Sequence, residues 1–521
     1  MELKPGLDEI LAVPDGTPAA VWAELPADTE TPVTVFLKLR RGGTGFLLES
    51  AEQDGSLGRY SFIGVAPEAV LRSGHGRGSV TTERGVEAYD GPPMEALGRF
   101  VGDAPVATGA GSVPVLAGGA VGYLGYDLAH TLEKLPHRLS REGTPPVALF
   151  ARYPVVVVYD HLGQRLLVTA AVSGAGDREE AYRRAGARIR QTVFNLRRAA
   201  APPFLEQGGD PAGWRDLLDA AETVPSDADF QESVEQAREY IHAGEVIQVV
   251  LSRRMSLDHA GDPFRVYRTL RRLNPSPYMF FLEFPEVTLV GASPEMLVRA
   301  ADGAVQLSPI AGTRPRGGDP DADAAAEREL TTDEKERAEH LMLVDLSRND
   351  LGRVCRPGSV HVPRFMDVER YSHVMHLVST VTGRLRDGTT ALDALAASFP
   401  AGTVSGAPKV RAMEIIEEME TVARGVYAGA AGYVGAGGQS LDTCIAIRTL
   451  VFQDGRAHLS AGAGIVADSE PARELEESRV KAAALLAALA AARTSRPEAG
   501  DLDRGLVPDE TDRQEQEEVP A

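Results

Sequence analysis

Two pairs of glutamates, each spaced by three residues, are the strongest candidates for chemistry in this sequence. Glu336 and Glu339 lie in DEKERAEHLMLVDLSRND, and Glu474 and Glu477 lie in ELEESRVK, which ends at Lys481. Apolar residues recur at helical spacing in both segments, so each pair is predicted to project from one face of a helix. Carboxylate oxygens are the ligands that Mg²⁺ prefers. The sequence predicts two helices that bring four carboxylates to a divalent metal, with solvent-exposed helix faces as the alternative.

Two segments of small residues are candidates for binding a carboxylate. Residues 311–314 read AGTR, and residues 461–464 read AGAG. Because backbone N–H groups can approach an anion closely where side chains are small, we predict anion-binding loops at both, with plain turns as the alternative. Arg448 is charged among apolar neighbours in the strand-like run LDTCIAIRTL. It is predicted either to bind a substrate carboxylate or to form a structural salt bridge.

Two residues are candidates for moving protons. Glu295 follows a proline in the apolar stretch GASPEMLV, where burial is expected to raise its pKa and let it donate a proton. His376 lies in VMHLVST, which we interpret as a helix-like apolar run. A single histidine in such a run is more often a core residue than a catalyst, and the same holds for His373.

The order of patterns along the 521 residues predicts two domains. Short apolar runs broken by glycine turns predict a β-rich domain over 1–205, which ends with a surface helix at 178–200. The Pro- and Gly-rich segment 206–222 is interpreted as a linker. Helix and strand patterns predict a second domain over 223–492. The acidic residues 493–521 are predicted to form a disordered tail.

Charge and cysteine content exclude several classes of protein. A formal charge of -21 argues against a nucleic-acid surface, which needs clustered Lys and Arg. The two cysteines, Cys355 and Cys444, cannot form a disulfide framework and suit a reducing cytosol. No apolar run approaches the length of a membrane span, and no secretory signal precedes the first domain. We therefore expect a cytoplasmic protein without nucleic-acid or membrane partners.

Taken in order, these motifs resemble those of the chorismate-utilising enzymes, and among them the large subunits that form anthranilate. The resemblance runs from FLLES near Leu47 to Lys481, which is nearly the whole chain. It implies an α+β fold of stacked antiparallel β-sheets flanked by helices. It also implies that 1–205 is a regulatory domain intimately associated with a chorismate-binding catalytic domain at 223–492.

The resemblance assigns roles to the candidate site. Glu339 and Glu477 match the Mg²⁺ ligands of the family, and Glu336 and Glu474 match supporting carboxylates. The substrate, chorismate, carries two carboxylates that metal and protein can divide between them. The residues that match substrate-binding positions are Gly312, Thr313, Arg314, Tyr427, Arg448, Gly462, Ala463, Gly464 and Lys481.

The resemblance also implies a reaction. Ammonia would attack C2 of chorismate while Glu295 protonates the departing C4 hydroxyl, and His376 would assist the loss of pyruvate. Thr403 matches another pocket position. Relatives that aminate C4 carry a nucleophilic lysine at the position of Ala311, and relatives that add water carry a lysine base at that of Gln248. Since neither lysine is present, anthranilate is the expected product.

Two other functions remain open on the sequence. The enzyme could stop at 2-amino-2-deoxyisochorismate, as relatives in phenazine-type pathways do. Alternatively, the chain could be a non-catalytic paralogue that only binds tryptophan.

The resemblance further implies two partners. The sequence shows no glutaminase motif, so a separate glutamine amidotransferase subunit is expected to supply ammonia in a heterotetramer. The segments LLES and NPSPYMFF match a pocket for tryptophan as a feedback inhibitor. The residues expected to line that pocket are Glu49, Ser50, Pro277, Tyr278 and Met279.

Overall fold

The computed structural model describes residues 1–50, 58–102, 104, 106–107, 116–205, 208–317, 319–370 and 374–493. His373 and all but the first residue of the predicted tail at 493–521 lie outside the described residues. Two twelve-stranded antiparallel sheets form the body of the molecule. Apolar side chains of both sheets, including Phe46, Tyr123 and Phe280, pack against each other in one buried cluster. The α+β class with stacked antiparallel sheets is therefore confirmed.

Strands and helices are numbered in chain order. In the first sheet the spatial order is β1 (Ala19–Pro26), β10 (Arg165–Val172), β9 (Val156–Asp160), β3 (Tyr60–Val65), β2 (Gly45–Glu49), β13 (Tyr278–Glu283), β14 (Thr288–Ser293), β23 (Thr449–Gln453), β24 (Arg456–Ile465), β12 (Gln248–Asp258) and β11 (Glu222–Val224), and β20 (Gly406–Ala407) pairs with β12.

In the second sheet the order is β17 (Ile310–Pro315), β19 (Val374–Arg384), β16 (Ala304–Leu307), β15 (Met296–Ala301), β22 (Leu441–Ile445), β21 (Ala430–Val434), β7 (Ala120–Leu124), β8 (Ala148–Arg152), β4 (Ala69–Ser73), β5 (Arg77–Thr82) and β6 (Gly85–Asp90), and β18 (His361–Arg370) pairs with β19.

Helices flank the sheets. They are α1 (Leu7–Leu11), α2 (Pro32–Leu39), α3 (Pro93–Val101), α4 (Ala129–Leu132), α5 (Arg178–Arg198), α6 (Trp214–Ala220), α7 (Asp227–His242), α8 (Pro263–Leu273), α9 (Pro320–Thr332), α10 (Glu334–Gly352), α11 (Ala391–Ser398), α12 (Gly402–Ser405), α13 (Lys409–Met419) and α14 (Pro471–Ala492). Short 3₁₀ turns occur at Tyr126–Leu128, Pro211–Gly213 and Ala436–Gly438.

Local sequence explains where the helices begin and end. The Ser226 hydroxyl accepts a hydrogen bond from the backbone N–H of Asp229 and caps α7, and Gly244 adopts a φ of 80° just after the helix. The Asp177 carboxylate caps α5 in the same way, through the N–H of Glu180. The surface helix predicted at 178–200 is therefore confirmed.

The two halves of the chain share both sheets. Strand β2 pairs with β13 in the first sheet, and β7 pairs with β21 in the second. The segment interpreted as a linker, 206–222, contains α6 in its described part, and α6 packs against α14. It is a packed connection because Leu217 is buried in the core beside α14. The boundaries of the two predicted domains stay a prediction.

Candidate active site

The predicted helices that carry the two glutamate pairs are confirmed. Glu336 and Glu339 lie near the start of α10, and Glu474 and Glu477 lie near the start of α14. Helix N-termini favour negative charge. Burial raises the pKa of Glu339, and the negative charges of Glu336, Glu477 and Glu474 raise it further. The four carboxylates are therefore within electrostatic reach of one another, as the sequence predicts.

Arg314 is held by carboxylates of the neighbouring helices. Its guanidinium donates to Glu336 at 2.9 Å, to Asp333 at 3.0 Å and to Glu329 at 2.8 Å. Such a guanidinium fixes the start of α10 and the position of Glu336. The geometry indicates a positioning role for Arg314, and a direct contact with substrate stays a prediction.

The two small-residue segments are strands, so their assignment to loops was wrong, and anion binding by their backbone stays a prediction. Residues 311–314 belong to β17 and residues 461–464 belong to β24. Gly312 lies at a register shift of β17 with a φ of 64°, where a Cβ atom would come within 2.8 Å of the Leu330 side chain. A Cβ atom on Gly462 would lie 2.4 Å from the carbonyl oxygen of Leu251. Small residues here permit close packing of strands beside the acidic helices.

His376 lies on strand β19, not on a helix as predicted, because the run VMHLVSTVTG is covered by β17 and β18 on its two edges. Its Nδ1 atom lies 3.1 Å from the carbonyl oxygen of Gly312 and 3.0 Å from the Thr313 hydroxyl oxygen. A carbonyl only accepts, so Nδ1 carries the proton in the neutral ring. Burial lowers the pKa of His376, and the charge of Arg448 lowers it further.

Glu295 is buried between β14 and β15, as predicted. Burial raises its pKa to about 8, although contacts with Thr403, the Ile310 backbone and the charge of Lys481 oppose this rise. The Thr403 hydroxyl on α12 is buried beside it and makes no hydrogen bond of normal geometry within the described residues. Both residues line a cavity of about 30 Å³ that lies under α10 and α12. A carboxyl group with this pKa is protonated at neutral pH and can donate its proton.

Arg448 lies in the turn between β22 and β23 with a φ of 49°. Burial lowers its pKa, while Tyr427 and Glu477 oppose this effect. In the part of the chain that the structure describes, its guanidinium makes no hydrogen bond or ion pair. The sequence left a structural salt bridge open, and no residue in the described ranges forms one with Arg448. A half-buried guanidinium without a partner among the described residues favours the binding of an anion.

Gln248 begins β12 and lies against β24. Its side-chain Oε1 atom is buried and has no hydrogen-bond partner among the described residues. A Cβ atom on Gly464 would come within 2.5 Å of Gln248 Nε2. The structure therefore brings Gln248 and the segment 461–464 together, as the predicted site requires.

A buried ion pair beside this site was missed at the sequence level. Arg424 donates to Glu420 at 2.7 Å and 2.9 Å, and to the carbonyl oxygens of Val404 at 2.7 Å and Val250 at 2.6 Å. Its guanidinium carbon lies 5.6 Å from the ring centroid of Tyr427. The pair anchors Tyr427 and α12. Oppositely charged residues four apart in an apolar run were the available signal.

The segments expected to bind tryptophan are neighbours in the first sheet. Glu49 and Met279 are paired across β2 and β13, with Pro277 and Tyr278 just before Met279 and Ser50 just after Glu49. The Glu49 carboxylate accepts from the Tyr267 hydroxyl at 2.6 Å and from Arg271 at 3.0 Å and 3.1 Å. The structure brings both segments together, and binding of tryptophan stays a prediction.

Two further features bear on protein class. None of the helices in the described ranges is long and apolar enough to cross a membrane. Cys355 and Cys444 are both buried and free.

The sequence that builds these sheets and this site also matches a known protein family. The model of the chorismate binding enzymes matches residues 45–487. The chain therefore belongs to the chorismate-binding enzyme family, and the resemblance found in the sequence is confirmed.

The particular relatives are anthranilate synthases. Anthranilate synthase component 1 of Acetivibrio thermocellus is 44% identical over 490 residues, which cover 93% of this chain and 98% of that protein. The same component from Streptomyces coelicolor is 46% identical over 477 residues, or 89% of this chain and 87% of that protein. The crystal structure of anthranilate synthase component I from Streptococcus pneumoniae has a TM-score of 0.73 at 34% identity, covering 89% of this chain and 99% of that one. The menaquinone-specific isochorismate synthase from Escherichia coli shares the fold, with a TM-score of 0.67 at 20% identity over 93% of this chain and 97% of that one.

Proposed function

We propose that the chain is the large subunit of an anthranilate synthase in tryptophan biosynthesis. It would convert chorismate and ammonia into anthranilate, pyruvate and water. The observation that carries the proposal is that Arg448 lies within electrostatic reach of Glu477, and Glu295 within reach of Lys481 on the same helix, α14. The chain that holds them is 44% identical to anthranilate synthase component 1 over 490 residues. The test is formation of fluorescent anthranilate from chorismate and an ammonium salt by the purified chain.

Substrate binding is proposed to rest on two positively charged side chains, Arg448 and Lys481. Arg448 has no protein partner among the described residues, and Tyr427 lies close enough to affect its pKa. Together they would hold the enolpyruvyl carboxylate of chorismate. The ring carboxylate would lie against the backbone of 462–464, beside the ammonium group of Lys481. An arginine and a separate cationic site suit a dicarboxylate, since each negative charge then has its own partner.

Proton transfer rests on Glu295 and His376. The pKa of Glu295, raised by burial to about 8, keeps a proton available for the C4 hydroxyl as ammonia attacks C2. The neutral His376 ring has its proton on Nδ1, which donates to the Gly312 carbonyl oxygen, so its Nε2 is the basic nitrogen. Nε2 would accept a proton when pyruvate leaves and the ring becomes aromatic. Thr403 would position the Glu295 carboxyl group.

The residues present fit a Mg²⁺ ion. Burial raises the pKa of Glu339 and of Glu474, and the negative charge of Glu477 raises both further, so a divalent cation would relieve the repulsion at the starts of α10 and α14. Glu339 and Glu477 would hold the ion directly, and Glu336 and Glu474 would support it through water. When bound, Mg²⁺ supplies polarisation of the ring carboxylate of the substrate. The hydrogen bond from Arg314 fixes Glu336, so α10 is held in its orientation before the metal binds.

Product choice follows from two side chains that lack an amine. Ala311 on β17 offers no nucleophile, and Gln248 on β12 offers no base strong enough to activate water. Dissolved ammonia is then the nucleophile that remains.

We further propose that a glutamine amidotransferase subunit supplies this ammonia in a heterotetramer, and that tryptophan inhibits the enzyme at the pocket formed by β2 and β13. Without that subunit, glutamine is expected to fail as nitrogen donor. Location in the cytosol stays a prediction.

A further inference from the structure

The guanidinium of Arg424 connects three segments of the chain around the candidate active site. Its side chain is 1% exposed, and that of its partner Glu420 is 5% exposed. Nη1 donates to the carbonyl oxygen of Val404 at 2.7 Å, and Nη2 donates to that of Val250 at 2.6 Å. Nε and Nη2 donate to the two carboxylate oxygens of Glu420 at 2.9 Å and 2.7 Å. Four of the five N–H groups of one planar side chain are therefore used.

Glu420 extends this network along β12. Its Oε1 atom accepts from the backbone N–H of Ser252 at 2.9 Å and from the Ser252 hydroxyl at 2.8 Å. Across the sheet, Val250 and Ser252 are paired with the two ends of the segment 462–464. The ion pair therefore holds the strand that lies against this segment, where the ring carboxylate of the substrate is proposed to bind.

Two residues of the proposed substrate pocket are direct neighbours of the network. Thr403 lies one residue before the α12 carbonyl that Arg424 binds, and its hydroxyl oxygen is buried beside Glu295. The ring centroid of Tyr427 lies 5.6 Å from the guanidinium carbon, and that of Tyr126 lies 4.6 Å from the same carbon. Because the cation attracts the face of each ring, it favours one orientation of Tyr427.

Burial and charge indicate that the network orients groups more than it stabilises the fold. Burial opposes the charge of Arg424, but the Glu420 carboxylate outweighs burial, so the pKa of the guanidinium is raised. A buried ion pair gains little net stability over apolar side chains of the same volume, because both ions lose their hydration. Its hydrogen bonds are directional, so they fix the three segments relative to one another. The pattern needs a planar fork, since the three donors of a lysine radiate from one atom.

We propose that Arg424 is a positioning residue for the formation of anthranilate, which holds Thr403, Tyr427 and β12 in the arrangement that receives chorismate and does not touch the substrate itself. The inference rests on the proposed function, because that function places the substrate against these groups. Thr403 lies beside Glu295, so loss of the network should impair proton transfer, which appears in kcat. Tyr427 and the segment 462–464 face the substrate carboxylates, so the same loss should weaken binding, which appears in KM.

The test compares Arg424→Lys with the wild type, as full-length chains supplied with chorismate, Mg²⁺ and an ammonium salt. Lysine keeps the charge and most of the aliphatic stem, so the variant is expected to fold, but it cannot reproduce the planar pattern of hydrogen bonds. We expect kcat/KM to fall by about 10- to 100-fold, with kcat lowered and KM raised.

A pH profile at a constant concentration of free NH₃ provides a second measurement. Contact with Thr403 opposes the raised pKa of Glu295, so displacement of Thr403 should raise that pKa further. The fall of kcat with rising pH, expected at about 8 in the wild type, should therefore move to higher pH in Arg424→Lys. Lys481, whose charge also acts on Glu295, is the same in both proteins.

Arg178→Lys is the matched control. Arg178 is 8% exposed and lies outside the candidate active site, and its guanidinium also makes four hydrogen bonds, to the carbonyl oxygens of Ile10, Val13, Pro14 and Thr17. The control should lower the Tm and leave kcat, KM and the pH profile unchanged. Glu420→Gln is the second variant in case Arg424→Lys does not fold. It removes the charge of the partner and should change kcat, KM and the pH profile in the same directions.

Three results would each overturn the positioning role. They are a wild-type kcat/KM in Arg424→Lys, a kcat that falls at the same pH as in the wild type, and an equal kinetic loss in Arg178→Lys. The same criteria apply to Glu420→Gln. A wild type that forms no anthranilate contradicts the proposed function itself, and the positioning role is then rejected with it.

Discussion

The Nζ atom of Lys481 lies 2.6 Å from Oε1 of Glu477, one turn earlier on α14. The same ammonium group donates to the carbonyl oxygen of Gly462 at 2.9 Å. It therefore joins the acidic helix to β24, the strand assigned to the ring carboxylate of the substrate. A divalent cation at Glu477 must share this carboxylate with Lys481. Metal binding and substrate binding are thus expected to be coupled through one side chain.

Glu477→Gln should weaken Mg²⁺ binding by about 10- to 100-fold, because it removes one of the proposed carboxylate ligands. Calorimetric titration with Mg²⁺ measures this directly, and the Mg²⁺ concentration needed for half-maximal turnover should rise in parallel. Glu476→Gln is the control, since Glu476 is exposed and pairs with Arg479. Equal Mg²⁺ affinity in the two variants would remove Glu477 from the metal site.

Glu295→Gln should lower kcat by about 100-fold or more, because the amide cannot protonate the departing hydroxyl. In the wild type, kcat should fall as pH rises through about 8, where the raised pKa of Glu295 lies. The measurement is a pH profile at a constant concentration of free NH₃, since that concentration itself changes with pH. Glu286→Gln serves as control, because Glu286 pairs with Arg72 at the far end of β14. A wild-type profile that stays flat through this range contradicts the assignment.

The same carboxyl group should make stability depend on pH. The pKa of Glu295 rises from 4.5 to about 8 on burial, so the native state binds more protons than the unfolded state between these values. Stability contributed by the neutral group is therefore lost as pH rises through this window, at up to about 1.4 kcal/mol per pH unit. In denaturant unfolding, the free energy of unfolding of Glu295→Gln should rise relative to that of the wild type between pH 4.5 and 8. A constant difference between the two proteins would place Glu295 in contact with solvent.

Arg448→Gln should raise the KM for chorismate, because it removes the guanidinium proposed to bind one substrate carboxylate. Hydrogen bonds to charged groups contribute enough for a loss of about 10- to 100-fold in kcat/KM. Steady-state kinetics that separate KM from kcat test this, with Arg456→Gln as control because Arg456 pairs with Glu222 instead. An unchanged KM in Arg448→Gln would argue that another group binds the carboxylate.

Tryptophan should weaken chorismate binding, and chorismate should weaken tryptophan binding by the same factor, which we expect to be about 5-fold or more. Glu49→Gln should reduce tryptophan affinity while leaving turnover without tryptophan intact. Its Tm should also fall, because Arg271 loses its buried partner. Glu68→Gln is the control for binding. Identical chorismate affinity with and without tryptophan would rule out the regulatory pocket.

Helical glutamate pairs were predictable from sequence, and strands with small residues were not. Apolar spacing around Glu339 and Glu477 has the period of a helix, and both helices form where it predicts them. Residues 311–314 and His376 were assigned to a loop and a helix-like run, but each lies in a strand. Their pairing partners are distant in sequence, so local patterns could not reveal the sheet that fixes them.

Burial of single charged groups was partly predictable. A proline and apolar neighbours around Glu295 predicted a raised pKa correctly. Arg314 was predicted to bind substrate, but three carboxylates hold its guanidinium. Two of them, Glu329 on α9 and Asp333 at the start of α10, lie near Arg314 because these helices fold back over β17. The Glu420–Arg424 pair was missed, since its partners Val250 and Val404 are brought near only by the tertiary fold.

Anthranilate fluorescence from the purified chain, supplied with chorismate, Mg²⁺ and an ammonium salt, tests the central claim most directly. The account predicts anthranilate and pyruvate in equal amounts, dependence on Mg²⁺, and no product when glutamine replaces ammonium in the absence of a partner subunit. Formation of isochorismate, of a para-aminated product or of an aminated compound that retains the enolpyruvyl group would contradict it.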